Sequence, residues 1–197
     1  MTEYVSDLRK ATNTTHSEFA KIQTTNTNFQ AQLNENILQI DDEYYAVARA
    51  KSKIISDERT TKKLNQSGVD FIELRSLDLN PFSRIGIDTE TTFFLETLLA
   101  YCFIKQGQHF KDDEIKNINY NDALVARQGR EPRLALLKDG ETISLKDWGN
   151  QIIENLLPIA AVLDSNKNQY TEVVDQMREK INDANQTLSA RLLDKIA

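Results

Sequence analysis

Apolar and polar positions along the chain change period several times, and each change marks an element. Tyr4, Val5 and Leu8 recur at helical spacing with no proline or glycine between them, which predicts a helix from Thr2 to about Ile22. The run Gln23-Thr-Thr-Asn-Thr-Asn28 then breaks the pattern, because such side chains compete for backbone hydrogen bonds. From Phe29 the alternation has period two. It predicts strands over Phe29–Ile40 and Tyr44–Lys51, an antiparallel pair about the acidic turn Asp41-Asp42-Glu43. A short helix over Arg59–Gln66 is expected to end at Gly68, and Val69–Ser76 is the clearest strand in the chain.

Asp88 is placed to cap a helix whose stripe of Leu95, Leu98, Leu99 and Cys102, widened by Phe94 and Tyr101, predicts a buried element, with core packing as the role of Cys102. A charged loop is expected near Lys111–Glu114, and Gly129, Pro132 and Gly140 punctuate a mixed region. Ser144-Leu-Lys-Asp147 has the form of a helix start. Trp148, Ile152, Leu156, Ile159 and Leu163 then predict one apolar face, with a kink at Pro158, and Tyr170, Val173, Val174, Met177 and Ile181 predict a second. The fold class is therefore α+β, with antiparallel strands in the first half and a mainly helical second half. Residues 1–88 are expected to form the α+β region and residues 89–197 the helical one.

In Val69–Ser76, strand geometry sets Phe71, Glu73 and Arg75 on one face and Ile72 and Leu74 on the other. The same alternation groups Tyr45, Val47, Arg49 and Lys51, and groups Gln32, Asn34 and Asn36. If these strands pair, their polar faces combine into one platform. A carboxylate flanked by guanidinium and ammonium groups suits a magnesium–phosphate ligand, since the carboxylate holds a hard cation and the basic groups neutralise phosphoryl oxygens. A same-face salt bridge and a solvated basic surface give the same pattern, so spacing alone leaves both readings open.

Composition narrows the choice. The chain has 197 residues and a formal charge of −6, yet Arg49 to Lys63 holds six basic and two acidic residues, a balance of +4 that leaves −10 elsewhere. That overall acidity, with no basic–aromatic motif, argues against nucleic acid. The longest apolar stretch, Phe93–Ile104, falls short of the ~20 residues a bilayer needs. Six glycines are too few for a Gly-rich phosphate loop, and one cysteine excludes an intrachain disulfide and fits a reducing compartment, so a cytoplasmic location is expected. His16 and His109 have no ligand-spaced partner.

The segment Gly68-Val-Asp-Phe-Ile-Glu-Leu-Arg-Ser-Leu-Asp-Leu-Asn-Pro-Phe-Ser-Arg-Ile-Gly-Ile-Asp88 closely resembles the signature of the proteobacterial type of glutamate–cysteine ligase. Upstream, Leu33-Asn-Glu-Asn-Ile-Leu-Gln-Ile-Asp-Asp-Glu-Tyr-Tyr-Ala46 resembles a second block of that family, and Asn119-x-Asn121, Gly129-Arg130, Leu163-Asp-Ser165 and Leu188-Ser-Ala-Arg191 follow in the family's order. The resemblance implies strands belonging to a glutamine-synthetase-like catalytic sheet. It also implies ATP-dependent joining of L-glutamate to L-cysteine through a γ-glutamyl phosphate, the first step of glutathione biosynthesis, with magnesium ions on the phosphates. By matching residues, Glu73 is implied as a magnesium ligand, Arg75 as the contact to the transferred phosphoryl group, and Tyr45 as part of the cysteine and nucleotide region. Arg49, Lys51, Asn34 and Asn36 are weaker candidates from the same polar faces, and Asn80-Pro81-Phe82 is expected to fix a turn.

Against the family pattern the chain corresponds to a second half of the catalytic domain, so it is expected to need the preceding half and, alone, to make no γ-glutamylcysteine. The alternatives are a non-catalytic helical interaction module built on a ligase scaffold, or a related carboxylate–amine ligase with another amine acceptor.

Overall fold

The computed structural model describes residues 2–22, 32–53, 57–105, 107, 109–165 and 168–196. It divides into two compact units, Met1–Asp78 and Leu79–Ala197.

The first unit opens with helix α1 (Thr2–Ala11), which is shorter than the periodicity predicts. Thr12, Asn13 and Thr14 turn their side chains back onto the carbonyls of Arg9 and Lys10, at 2.7–3.0 Å, and so end the helix. Residues 32–40 do not form the predicted strand. Their side chains bond to backbone: Asn34 Nδ2 donates to Gln39 O (3.0 Å), Asn36 Nδ2 donates to Thr12 O (2.6 Å), and Leu33 N donates to Gln39 Oε1 (2.7 Å). A single bridge, Thr15 with Asn36, is all the ladder these described residues make. The remainder of that prediction, residues 29–31, lies outside the described residues.

Strand β1 (Ala48–Lys51) and helix α2 (Thr60–Ser67) follow, then β2 (Phe71–Leu74), antiparallel to β1 in the register Arg49 opposite Glu73 and Lys51 opposite Phe71. The predicted partner of β1 was the segment before it, and the observed partner lies after α2. Helix α2 ends where expected: Gly68 takes φ +78°, where a side chain is disfavoured, and its N–H donates to Leu64 O at 2.9 Å.

The second unit begins with a turn tied to its first helix. Asn80 is buried; its Nδ2 donates to Asp88 Oδ2 (2.5 Å) and its Oδ1 accepts from Phe82 N (2.9 Å). Asp88 in turn caps α3 (Thr89–Ile104), accepting from Thr91 N at 2.7 Å. Burial alone would push the Asp88 carboxyl up, but the hydrogen bonds from Thr91 and Asn80 and the charge of Lys180 hold it below its usual value.

Apolar residues of helix α3 are spread around its axis, so packing decides which are buried. Phe94, Leu98 and Tyr101 pack on the core as expected and Thr97 is fully buried, whereas Leu99 and Cys102 are exposed, contrary to expectation. Lys111–Glu114 is likewise no loop. It starts α4 (Asp112–Gln128), with the Glu114 carboxylate accepting from Lys111 N (2.9 Å).

The second half is mainly helical as expected, and the mixed region around Pro132 and Gly140 holds a hairpin of β3 (Ala135–Lys138) and β4 (Glu141–Ser144). Its turn residues Asp139 and Gly140 both have positive φ, +51° and +84°, the geometry that a two-residue hairpin turn favours. Ser144 Oγ then accepts from Asp147 N (2.9 Å), starting α5 (Leu145–Leu163), which packs against α6 (Gln169–Asn182); α7 (Leu188–Ile196) completes the chain. On α5 the buried face is Ile153, Leu156 and Ala160, rotated from the predicted stripe, with Ile152 exposed. On α6, Val173 and Val174 are buried as the periodicity predicts.

Candidate active-site face

Because Arg49 stands opposite Glu73, the polar faces of β1 and β2 coincide. The ladder extends past the strand, where Arg75 N donates to Val47 O at 2.9 Å. Among the described residues Glu73 is the carboxylate of this face, and Arg75, Lys51 and Arg49 stand around it. Arg75 Nη2 donates to Glu73 Oε1 at 3.0 Å, and Lys51 Nζ lies 3.7 Å from Oε2. The Arg75 hydrogen bond lowers the pKa of Glu73 most; partial burial opposes it, and the charges of Arg75, Lys51 and Arg49 add to the lowering, so the carboxylate stays ionised. One oxygen, Oε2, is buried without a hydrogen-bond partner.

Arg75 is held from two sides. Its guanidinium sits 5.2 Å from the centroid of the Tyr45 ring, a cation–π arrangement, and the ring itself is 74% exposed. Arg49 is different in kind, at 4% exposure, and Asp42 Oδ1 is its carboxylate partner from the preceding turn at 3.8 Å. Asn34 and Asn36 do not join this face, since their side chains serve the loop backbone described above. Sequence reasoning missed the support beneath the face. Asp41, buried, accepts from Thr61 N (3.0 Å) and Thr61 Oγ1 (2.6 Å), while Asp42 accepts from Thr60 Oγ1 (2.8 Å), so a single acidic turn caps α2 and holds Arg49. The adjacent acids and the adjacent threonines were visible, but their separation of almost twenty residues hid the pairing.

Lys51 and Arg75, partly exposed beside one carboxylate, are suited to a phosphoryl group, and Glu73 Oε2, which faces Lys51 without a hydrogen bond, is suited to a hard cation. Among the described residues no group of three or more Asp, Glu, His or Cys side chains could hold a metal ion, so Glu73 can supply one ligand and not a cage. A cavity of about 800 Å³ in the second unit is lined by Tyr120, Leu124, Gln128, Pro132 and Arg133, with none of these polar-face residues. No helix among the described residues is long and apolar enough to cross a membrane.

This α+β scaffold with a phosphate-suited strand pair has known counterparts. The family description "Glutamate-cysteine ligase" matches residues 1–125, and the chain belongs to that family. It is 34% identical over 195 residues to a glutamate–cysteine ligase of Pseudomonas fluorescens, covering 98% of this chain and 37% of the relative, and 35% identical over 202 residues to one of Alcanivorax borkumensis, covering 98% and 38%. A crystal structure of glutamate–cysteine ligase from Francisella tularensis in complex with AMP superposes with a TM-score of 0.87 at 35% identity, over 97% of this chain and 38% of that one. The chain thus spans somewhat over a third of the length of the relatives it matches.

Proposed function

We propose that this chain carries part of the nucleotide-phosphate site of an ATP-dependent ligase that joins the γ-carboxylate of L-glutamate to the amine of L-cysteine, in the cytoplasm, as the first step of glutathione biosynthesis. The observation that carries the reading is Glu73 set opposite Arg49 and between Lys51 and Arg75, on the strand whose sequence bears the family signature. The AMP complex of the Francisella relative supports a nucleotide as ligand.

In the proposed reaction a carboxylate oxygen of glutamate attacks the γ-phosphorus of ATP and ADP leaves, giving an acyl phosphate. The cysteine nitrogen then adds to the acyl carbon, loses a proton and expels inorganic phosphate. Arg75 is suited to the transferred phosphoryl group, because it ends the strand half-exposed, with its guanidinium plane fixed by Glu73 and Tyr45. Lys51 adds a second positive charge on the same side, and Tyr45 offers an open aromatic surface to the nucleotide and cysteine. Glu73 Oε2 is the donor this chain offers to magnesium, whose role when bound is to neutralise phosphate charge. Further metal ligands have to come from outside the described residues.

The test is calorimetric titration of the protein with ATP, with and without magnesium, beside an assay for γ-glutamylcysteine by mass spectrometry. Arg75→Gln is expected to weaken ATP binding about tenfold or more, as loss of a charge-assisted hydrogen bond does. The 197 residues alone are expected to release no γ-glutamylcysteine. ATP affinity indifferent to both Arg75→Gln and Lys51→Gln would overturn the site, and robust turnover lost in Glu73→Gln would overturn its dependence on further ligands.

A further inference from the structure

Three cations surround Glu73, but their settings differ. Lys51 and Arg75 have side chains about a quarter and a third exposed, so an incoming phosphate can reach both. Arg49 is buried and cannot meet a phosphate without leaving its pocket. Asp42 lies 3.8 Å from its guanidinium, Tyr4 of α1 is near enough to feel its charge, and Glu73 stands directly across the strand pair. Asp42 is itself held by Thr60 Oγ1. When phosphate draws on Lys51 and Arg75, Glu73 keeps a counter-charge only if one cation is not shared.

We propose that Arg49 is that cation: a positioning residue, anchored by Asp42, that holds Glu73 in place for metal while Lys51 and Arg75 engage phosphate. The proposal rests on the ligase reading for its ligand, and not for the Arg49–Glu73 coupling itself. It separates two classes of substitution on one face. Lys51→Gln and Arg75→Gln remove charge that phosphate meets, so they lower ATP affinity without metal. Arg49→Gln acts through Glu73, so it lowers only the gain in affinity that magnesium brings, as Glu73→Gln does.

The experiment is the same calorimetric titration on the wild-type chain, the single variants Arg49→Gln, Arg49→Lys, Glu73→Gln and Arg75→Gln, and the double variant Arg49→Gln/Glu73→Gln, with urea unfolding of each. Arg49→Gln is expected to leave metal-free ATP affinity within about twofold and to remove most of the magnesium-dependent gain, the double variant being no worse than Glu73→Gln, and Arg49→Lys is expected to restore part of that gain. Loss of metal-free affinity equal to that of Arg75→Gln, or losses in the double variant that multiply, would overturn the proposal. Should ATP not bind at all, the ligase reading fails, and the unfolding cycle still decides this one. Coupling between Arg49 and Glu73 of about threefold or more in the unfolding constant supports it, and additivity overturns it. If Arg49→Gln does not fold, Arg49→Lys and Asp42→Asn run the same cycle with the buried charge retained.

Discussion

The described residues form two antiparallel strand pairs of equal length, and they are held by opposite means. In β3–β4 the residue buried at the second position is Leu136, and in β1–β2 it is Arg49. The hairpin is local, closed by Asp139-Gly140, and its edge is satisfied by Asn121, which donates to Leu137 O (2.7 Å) and accepts from Leu137 N (2.9 Å). The β1–β2 pair is joined through α2 and stabilised beneath by Asp41, Thr61 and Arg49. The contrast extends to the units. Among the described residues the first buries Val5, Leu8 and Leu64 beside the polar Thr12, Asp41, Arg49 and Thr61, whereas the second has the apolar cluster Ile153, Leu156, Ala160 and Val174. The buried position of one pair is apolar, and that of the other is a charge with a carboxylate partner from the preceding turn.

The sharpest way to break this comparison is in the packed unit. Leu156→Ala opens the apolar cluster and is expected to cost about 3 kcal/mol, read as a lower urea midpoint; a loss under about 1 kcal/mol would show that the cluster does not hold the unit. Asn121→Ala strips both backbone bonds from Leu137 and is expected to cost about 2 kcal/mol, with amide exchange at Leu137 rising before that of α5. Gly140→Ala meets no atom within 4 Å, so its expected cost of about 1 kcal/mol is backbone strain at positive φ alone.

The smallest effect expected is on acid stability. Burial would raise the pKa of the Asp164 carboxyl, but hydrogen bonds from Thr171 Oγ1, Tyr170 N and Thr171 N outweigh it and lower that pKa. A group depressed on folding stabilises above its unfolded value, near 4, and that contribution fades as pH falls through the lower folded value. Asp164→Asn should therefore flatten the acid limb of a stability–pH profile and leave neutral pH dependence unchanged, whereas an unaltered acid limb would remove Asp164 from the account.

Much of the scaffold was legible because its causes are local. Gly68, Asp88 and Ser144 end or start helices through their own backbone and side-chain chemistry, and Val173 and Val174 lie on the face their spacing predicts. The errors occur where local signals compete. Period two over residues 29–40 read as strand, but Asn34, Asn36 and Gln39 carry side chains that satisfy backbone themselves. On α3 apolar residues are spread around the axis, so no periodicity could say that Thr97 is buried and Cys102 exposed.

For the site the division is similar. Alternation alone put Phe71, Glu73 and Arg75 on one face and Arg49 and Lys51 on another, since side-chain direction in a strand is a local property. That these two faces are the same face follows from the register of β1 against β2, a pairing across an intervening helix. Burial of Arg49 beside Asp42, and exposure of Lys51 and Arg75, also come only from the assembled unit. Sequence determines which groups are offered, and long-range packing determines which of them stay with the protein and which remain for a ligand, because burial depends on what the rest of the chain lays over each side chain.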